Sequence, residues 1–247
     1  FNCFGLLDIT IVRHFLRWQR TYEPITDQWI GASSVFDALV SMATFRLNED
    51  EAQEATIIDS SGVSYKARSI YHPFLGEKAV RNNFDIQNHE YYIITGANMA
   101  GKSTFLRTLG VNYILAMNGL PVFAEEMRVS VFRLFTNMRT TDDLTHGISY
   151  FNAELLRLKQ LIASLDPNVP SLIILDEILK GTNSLDKLNG SRLFLEYISE
   201  RNVTGVIATH DLELSKLEDE NPQRFHNYSF EIELGTDVTY TYKIGRG

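Results

Sequence analysis

Residues 96–103 read Gly-Ala-Asn-Met-Ala-Gly-Lys-Ser and match the phosphate-loop pattern G-x-x-x-x-G-K-[ST] at every fixed position. Gly96 and Gly101 let the backbone wrap closely round a phosphate chain, with consecutive N–H groups (Gly96, Ala97, Asn98, Met99, Ala100, Gly101) turned inward. Lys102 brings a positive charge to the terminal phosphates, and the Ser103 hydroxyl is a ligand for Mg²⁺. Tyr91-Tyr92-Ile93-Ile94-Thr95 upstream is apolar and β-rich, which predicts a strand running into the loop. Downstream, Thr104-Phe105-Leu106-Arg107-Thr108-Leu109 predicts a helix whose N-terminus faces the phosphates. Strand, loop and helix in that order point to nucleotide binding and an α/β fold.

A phosphate loop does not separate binding from hydrolysis. Ser171-Leu172-Ile173-Ile174-Leu175 is a short apolar run ending in Asp176-Glu177. It reads as a buried parallel strand with carboxylates at its C-terminal end, where open α/β sheets collect ligands. Asp176 is placed to hold Mg²⁺, directly or through water, and Glu177 to polarise a water against the γ-phosphate. A third strand, Val203-Thr204-Gly205-Val206-Ile207-Ala208, ends in Thr209-His210. Beside a γ-phosphate, His210 is placed to donate a hydrogen bond and report its presence. Alone, a histidine at a strand end is more often a surface residue; with the other two strands, the functional reading is the better one. Further upstream, Gly147 closes a polar loop and Ser149 is an expected N-cap for a helix running through Glu154. A serine there could also meet an anion.

Outside the site, Phe4, Leu7, Ile11, Phe15 and Trp18 recur at helical spacing, as do Trp29, Phe36, Leu39, Val40 and Phe45. Pro24 lies between the two stretches, which predicts a helical hairpin. Asp8, Arg13, His14, Arg17 and Arg20 interrupt the apolar start, so the aromatic stripe reads as helix-packing surface with no membrane contact. Asn48 to Glu54 reads as an acidic linker. Thr56-Ile57-Ile58 and Val63-Ser64-Tyr65 round Ser60-Ser61-Gly62 predict one hairpin, and residues 228–234 and 238–242 predict a second at a sheet edge. The lone Cys3 excludes an internal disulfide and fits a reducing, cytoplasmic setting. No Cys/His cluster has zinc spacing. A formal charge of −8 argues against this segment gripping DNA by itself, because duplex affinity rests largely on Lys and Arg against phosphates.

The residues that carry the site resemble the ATPase domain of the MutS family of DNA mismatch-repair proteins. The resemblance lies in Thr95 to Thr104 with its Asn98-Met99 pair, and in Asp142-Asp143-Leu144…Gly147-x-Ser149-x-Phe151-x-x-Glu154. It continues in Leu175-Asp176-Glu177-Ile178…Gly181-Thr182-Asn183-Ser184…Asp186 and Ala208-Thr209-His210, and covers roughly residues 69–234. A weaker likeness over residues 36–43 is to the helix leading from the family's lever region. The loop Glu177-Ile178-Leu179-Lys180-Gly181 departs from the small or basic residues usual there, and Ile148-Ser149-Tyr150 from the usual Arg-Ser-Thr.

That resemblance implies a P-loop NTPase of ABC type with a mainly parallel sheet flanked by helices. It implies a helical connector over residues 1–47 and an ATPase domain over 48–247 that lacks the family's C-terminal helical dimerisation element. It implies Mg²⁺-dependent ATP hydrolysis to ADP in a head-to-tail homodimer of the full-length protein, with ATP held between Lys102 of one subunit and Ser149 of the other. Nucleotide state then moves a DNA clamp built from regions outside this chain. By the same analogy Asn98 reads the γ-phosphate, Asp186 lies at the subunit contact and Val80 meets the base. Lys102, Glu177 and His210 form the catalytic set, residues 96–104 through Thr104 the phosphate loop, and Ser103 with Asp176 the metal ligands. The alternative is a MutS-like ATPase acting in recombination or another non-mismatch role. A transporter nucleotide-binding subunit is remote, since no Leu-Ser-Gly-Gly-Gln-like signature precedes the second strand.

Overall fold

The computed structural model describes residues 6–49, 51–138, 150–179, 184–234 and 238–247. The chain divides into two compact units, residues 1–50 and 51–247. Among its described residues the first unit is one helix, α1 (Leu7–Asn48), which runs through Pro24 without a break. The expected hairpin is therefore wrong. A proline removes one i→i−4 hydrogen bond and crowds the preceding turn, yet the helix continues past it although none of its residues is buried. Phe15, Trp18, Tyr22 and Trp29 form a ladder of rings about one or two turns apart, with centroids 6.0–6.2 Å from one to the next. By length and composition α1 is apolar enough to cross a membrane, with an 18-residue window of mean hydropathy 1.2. None of that window is buried, unlike the core helix of a soluble protein.

The second unit is built on a six-stranded sheet of β4 (Tyr91–Gly96), β6 (Arg133–Asn137), β7 (Ser171–Asp176), β8 (Val203–Ala208), β9 (Phe225–Leu234) and β10 (Val238–Arg246). Its order is β10-β9-β4-β8-β7-β6. The pairs β9–β4, β4–β8, β8–β7 and β7–β6 are parallel, and β10 adds to the edge antiparallel. Alternation along the strands sends Tyr92, Ile94, Leu172, Ile174, Val206 and Ala208 into one core and Tyr91, Ile93, Ile173, Leu175 and Ile207 into the other. Both faces are covered, which is why β7 and β8 read as unbroken apolar runs and are buried at every residue.

Helix α2 (Lys102–Met117) lies in the first core through Phe105, Leu106, Leu109 and Tyr113. The same core takes a second sheet of β1 (Thr56–Ile58), β2 (Tyr65–Ile70), β3 (Asn82–Ile86) and β5 (Glu126–Ser130) in the order β1-β5-β2-β3. Polar ties fix α2 there: the Tyr65 hydroxyl donates to the Leu109 carbonyl at 3.0 Å, and fully buried Asn112 holds the Tyr71 carbonyl and the Phe123 N–H. The second core holds Leu158 and Leu161 of α3 (Tyr150–Ser164) and Phe194, Leu195 and Ile198 of α4 (Ser184–Ser199).

Thr56–Ile58 and the strand after Gly62 do not form the hairpin expected of them. β1 pairs in parallel with β5, which also separates it from β2. The groups round the Ser60-Ser61-Gly62 bend are taken by distant side chains. Asn88 Oδ1 accepts the Val63 N–H, Ser130 Oγ accepts the Ser64 N–H, and the Ser130 hydroxyl donates to the Gly62 carbonyl. Within the expected linker, Gln53 exchanges two backbone hydrogen bonds with Val122 at 2.9 and 2.7 Å. The second hairpin is as expected: β9 and β10 pair antiparallel at the sheet edge, and its turn at 235–237 lies outside the described residues.

Candidate active site

β4 delivers the loop to the carboxyl end of the sheet, where three backbone positions need the left-handed region: Met99 (φ 65°), Gly101 (φ 108°) and Gly96 (φ 138°). Only glycine suits Gly96 on a second count, because a Cβ there would lie 2.9 Å from the Phe230 carbonyl oxygen. Gly101 stands at the N-cap of α2 without a side chain to cap it, so the first N–H groups of that helix are left for a ligand. An anion placed at this point would meet aligned N–H dipoles and the Lys102 ammonium together.

Lys102 is buried, and its Nζ donates to the carbonyls of Gly96 at 2.7 Å and Ala97 at 2.8 Å. The same Nζ lies 3.4 Å from His210 Nδ1. His210 Nδ1 in turn sits 3.1 Å from the Gly96 carbonyl, and its Nε2 sits 2.9 Å from Glu177 Oε1. The Glu177 carboxylate only accepts, so the ring nitrogen facing it donates, and the role of Nδ1 between the Gly96 carbonyl and the Lys102 ammonium follows the tautomer. The ends of β4, β7 and β8 are thus joined by polar side chains, with Lys102 drawn back onto its own loop.

Asp176 ends β7 and is 6% exposed, and Glu177 follows it in a left-handed conformation (φ 60°). The Glu177 N–H donates to the Ala208 carbonyl at 2.8 Å, and the Thr209 N–H donates to the Ile94 carbonyl at 2.9 Å. These bonds extend the sheet register one residue past its strands and set the height at which the carboxylates stand.

All of this opens on one cavity of about 790 Å³. Its walls include Asn98, Met99, Ala100, Gly101, Lys102, Ser103 and Thr104, then Asp176, Glu177 and His210, and also Val80. Gly96 and Ala97 are not in its wall; their carbonyls hold Lys102, which is. Ser103 and Asp176 line the same space, an oxygen donor set that suits Mg²⁺, which takes one or two protein ligands and completes its shell with phosphates and water. Asp186 is exposed on the first turn of α4 and does not line this cavity. Ser149 lies outside the described residues.

The fold brings in residues that sequence reasoning did not select. Tyr242 lines the cavity from β10, at a register shift between Tyr240 and Ile244 and in a left-handed conformation (φ 54°). Its ring crowds the loop, since a Cβ on Gly101 would lie 3.1 Å from Tyr242 Cδ1. Asn82 anchors that irregularity, donating to the Tyr242 carbonyl at 3.1 Å and accepting the Ile244 N–H at 3.0 Å. Strict alternation along β10 hides Tyr242, because the irregularity breaks the period of two. His72 is also in the wall; burial and then the charge of Arg107 hold its pKa below the ordinary value, and its Nδ1 accepts the Phe74 N–H.

A family model described as MutS domain V matches residues 92–247, from the strand before the loop to the last residue. The chain belongs to the MutS family. Among its curated relatives, the DNA mismatch repair protein MutS of Caldicellulosiruptor bescii is 34% identical over 71% of this chain and 21% of its own length. That of Persephonella marina is 33% identical over 90% of this chain and 25% of its own, and that of Clostridium botulinum (strain Loch Maree / Type A3) 31% over 96% and 26%. The chain therefore spans about a quarter of the length of these MutS relatives.

Proposed function

We propose that this chain is the ATP-binding and ATP-hydrolysing part of a MutS-type DNA mismatch-repair protein, on a P-loop NTPase fold. One observation carries the reading: a single cavity at the carboxyl ends of parallel strands gathers Lys102, Ser103, Asp176, Glu177 and His210. Residues 96–104 hold the phosphate chain with backbone N–H groups, and Lys102 leaves the Gly96 and Ala97 carbonyls to meet the β- and γ-phosphates. Ser103 and Asp176 would hold Mg²⁺, which when bound neutralises charge on the β- and γ-oxygens. Glu177 takes the proton of the attacking water, and His210 donates to the γ-phosphate, with Asn98 beside it. Val80 and Tyr242 offer an apolar and an aromatic surface for the base.

In the full-length protein this unit works as a homodimer, Ser149 and Asp186 meeting the partner, and DNA is bound by regions outside this chain. The relatives' description as mismatch-repair proteins and the −8 charge both favour that division of labour. The test pairs two measurements on the full-length protein. Mg²⁺-dependent ATP hydrolysis should fall about 10²–10⁴-fold in Glu177→Gln while ATP still binds. Duplexes with a single mismatch should be preferred over matched ones at fixed salt, and ATP should release or mobilise the complex. Equal binding to both duplexes would overturn the mismatch role and leave the ATPase intact.

A further inference from the structure

The loop carrying Glu177 has a backbone that its residues do not favour. Glu177 (φ 60°) and Leu179 (φ 58°) are both left-handed and neither is glycine. What holds them comes from elsewhere in the chain. The Leu179 N–H donates to Glu154 Oε1 at 2.8 Å, in a buried contact from the second turn of α3. Glu154 is itself 5% exposed, a depth at which a carboxylate stands only with partners. The Leu179 side chain is buried too, and it is seated against α4: a Cβ on Gly190 would lie 2.5 Å from Leu179 Cδ1. Leu179 is thus gripped by its amide from α3 and by its side chain from α4, two residues after the carboxylate at the centre of the site.

We propose that Glu154 is a positioning residue for hydrolysis: by fixing Leu179 it sets the direction in which Glu177 presents its carboxylate to the cavity. The proposal rests on the reading of Glu177 as general base. It also gives α3 a mechanical role, since that helix begins at Tyr150, directly after Ser149, and any shift of it carries Glu154 and the Glu177 loop along. Hydrolysis then depends on where α3 sits, while nucleotide affinity, which rests on residues 96–104, does not.

The test measures kcat and KM for ATP, with ADP affinity, on the full chain for Glu154→Ala, Glu154→Gln, Gly190→Ala and Glu177→Gln. Glu154→Ala should lower kcat about 10–10²-fold, the scale of a misplaced catalytic group, with KM and ADP affinity within about twofold. Glu154→Gln keeps an oxygen acceptor for the Leu179 amide and should recover most of the rate. Gly190→Ala pushes Leu179 from the opposite side and should reproduce the kcat loss, so the idea stays testable if Glu154→Ala fails to fold. Wild-type kcat in both Glu154→Ala and Gly190→Ala, even with a lowered melting temperature, overturns the proposal, because Glu154 is then only a buried support. Slowed Glu177→Gln beside unchanged Glu154→Ala sinks this inference alone. Wild-type turnover in Glu177→Gln beside slowed Glu154→Ala sinks the base assignment and leaves the hold of Glu154 on the loop standing.

Discussion

Glu177 Oε1 lies 2.9 Å from His210 Nε2, a contact that ties the residue after β7 to the strand end of β8. The carboxylate is 11% exposed and the ring 34%, so the pair sits at the cavity wall with the histidine on the wetter side. Replacing the ring removes the donor proposed for the γ-phosphate and frees Glu177 to other rotamers. His210→Ala should lower kcat about 10²-fold, the cost of one transition-state donor, with ADP affinity near wild type. Pre-steady-state phosphate release under saturating ATP reads this directly, and a wild-type burst rate would remove His210 from the reaction.

Lys102 gives two hydrogen bonds to loop carbonyls, at 2.7 and 2.8 Å. Lys102→Ala therefore loses both the charge for the phosphates and the tie that shapes the loop. ATP and ADP binding should fall by at least about tenfold, since a charged hydrogen bond contributes about 1.5–3 kcal/mol. Calorimetric titration of both nucleotides checks it, and unchanged affinity would count against the loop assignment.

Gly205 stands opposite Tyr91 in the β4–β8 register, and a Cβ there would lie 2.5 Å from Tyr91 Cδ1. The Tyr91 ring is fully buried and its hydroxyl donates to the Val203 carbonyl at 3.0 Å, so it has nowhere to move. Gly205→Ala should destabilise the unit by about 1–3 kcal/mol through overpacking. Urea denaturation followed by tryptophan-independent circular dichroism reads the change.

His72 has a pKa below the ordinary 6.5, first through burial and then through Arg107. The unfolded chain therefore binds the proton more readily than the folded one, so His72 favours the fold fully above pH about 6.5 and less as pH falls through its lowered pKa. Protonation also takes the Nδ1 lone pair that accepts the Phe74 N–H at the start of the short 3₁₀ turn Pro73–Lys78. Melting temperature should drop more steeply on acidification below that point in the wild type than in His72→Gln. Parallel curves would show that His72 does not contribute.

Much of the candidate site was legible in the sequence because its signals are local. A phosphate loop needs its glycines, lysine and serine at set spacing within eight residues, and a strand buried on both faces must be apolar at every position. Asn98 to Thr104, Asp176, Glu177 and His210 could therefore be singled out from the sequence, and the fold brings them to one cavity. The Pro24 hairpin failed because a proline is a local breaker with a finite cost, and the chain carries one helix through it from Leu7 to Asn48.

What tertiary structure alone decided depends on partners far apart in the chain. Ser130 and Asn88 take the backbone groups of the Ser60-Ser61-Gly62 bend and leave β1 to pair with β5. A register shift on β10, anchored by Asn82, turns Tyr242 into the cavity. Glu154 and Gly190, from two helices, hold Leu179 where its own backbone preference would not put it. The residue sequence determined that a phosphate loop and its carboxylates stand at one sheet edge, since backbone propensity and side-chain period act over a few residues. Which side chains complete and orient that site was decided by hydrogen bonds and close contacts between distant segments, whose pairing no local period encodes.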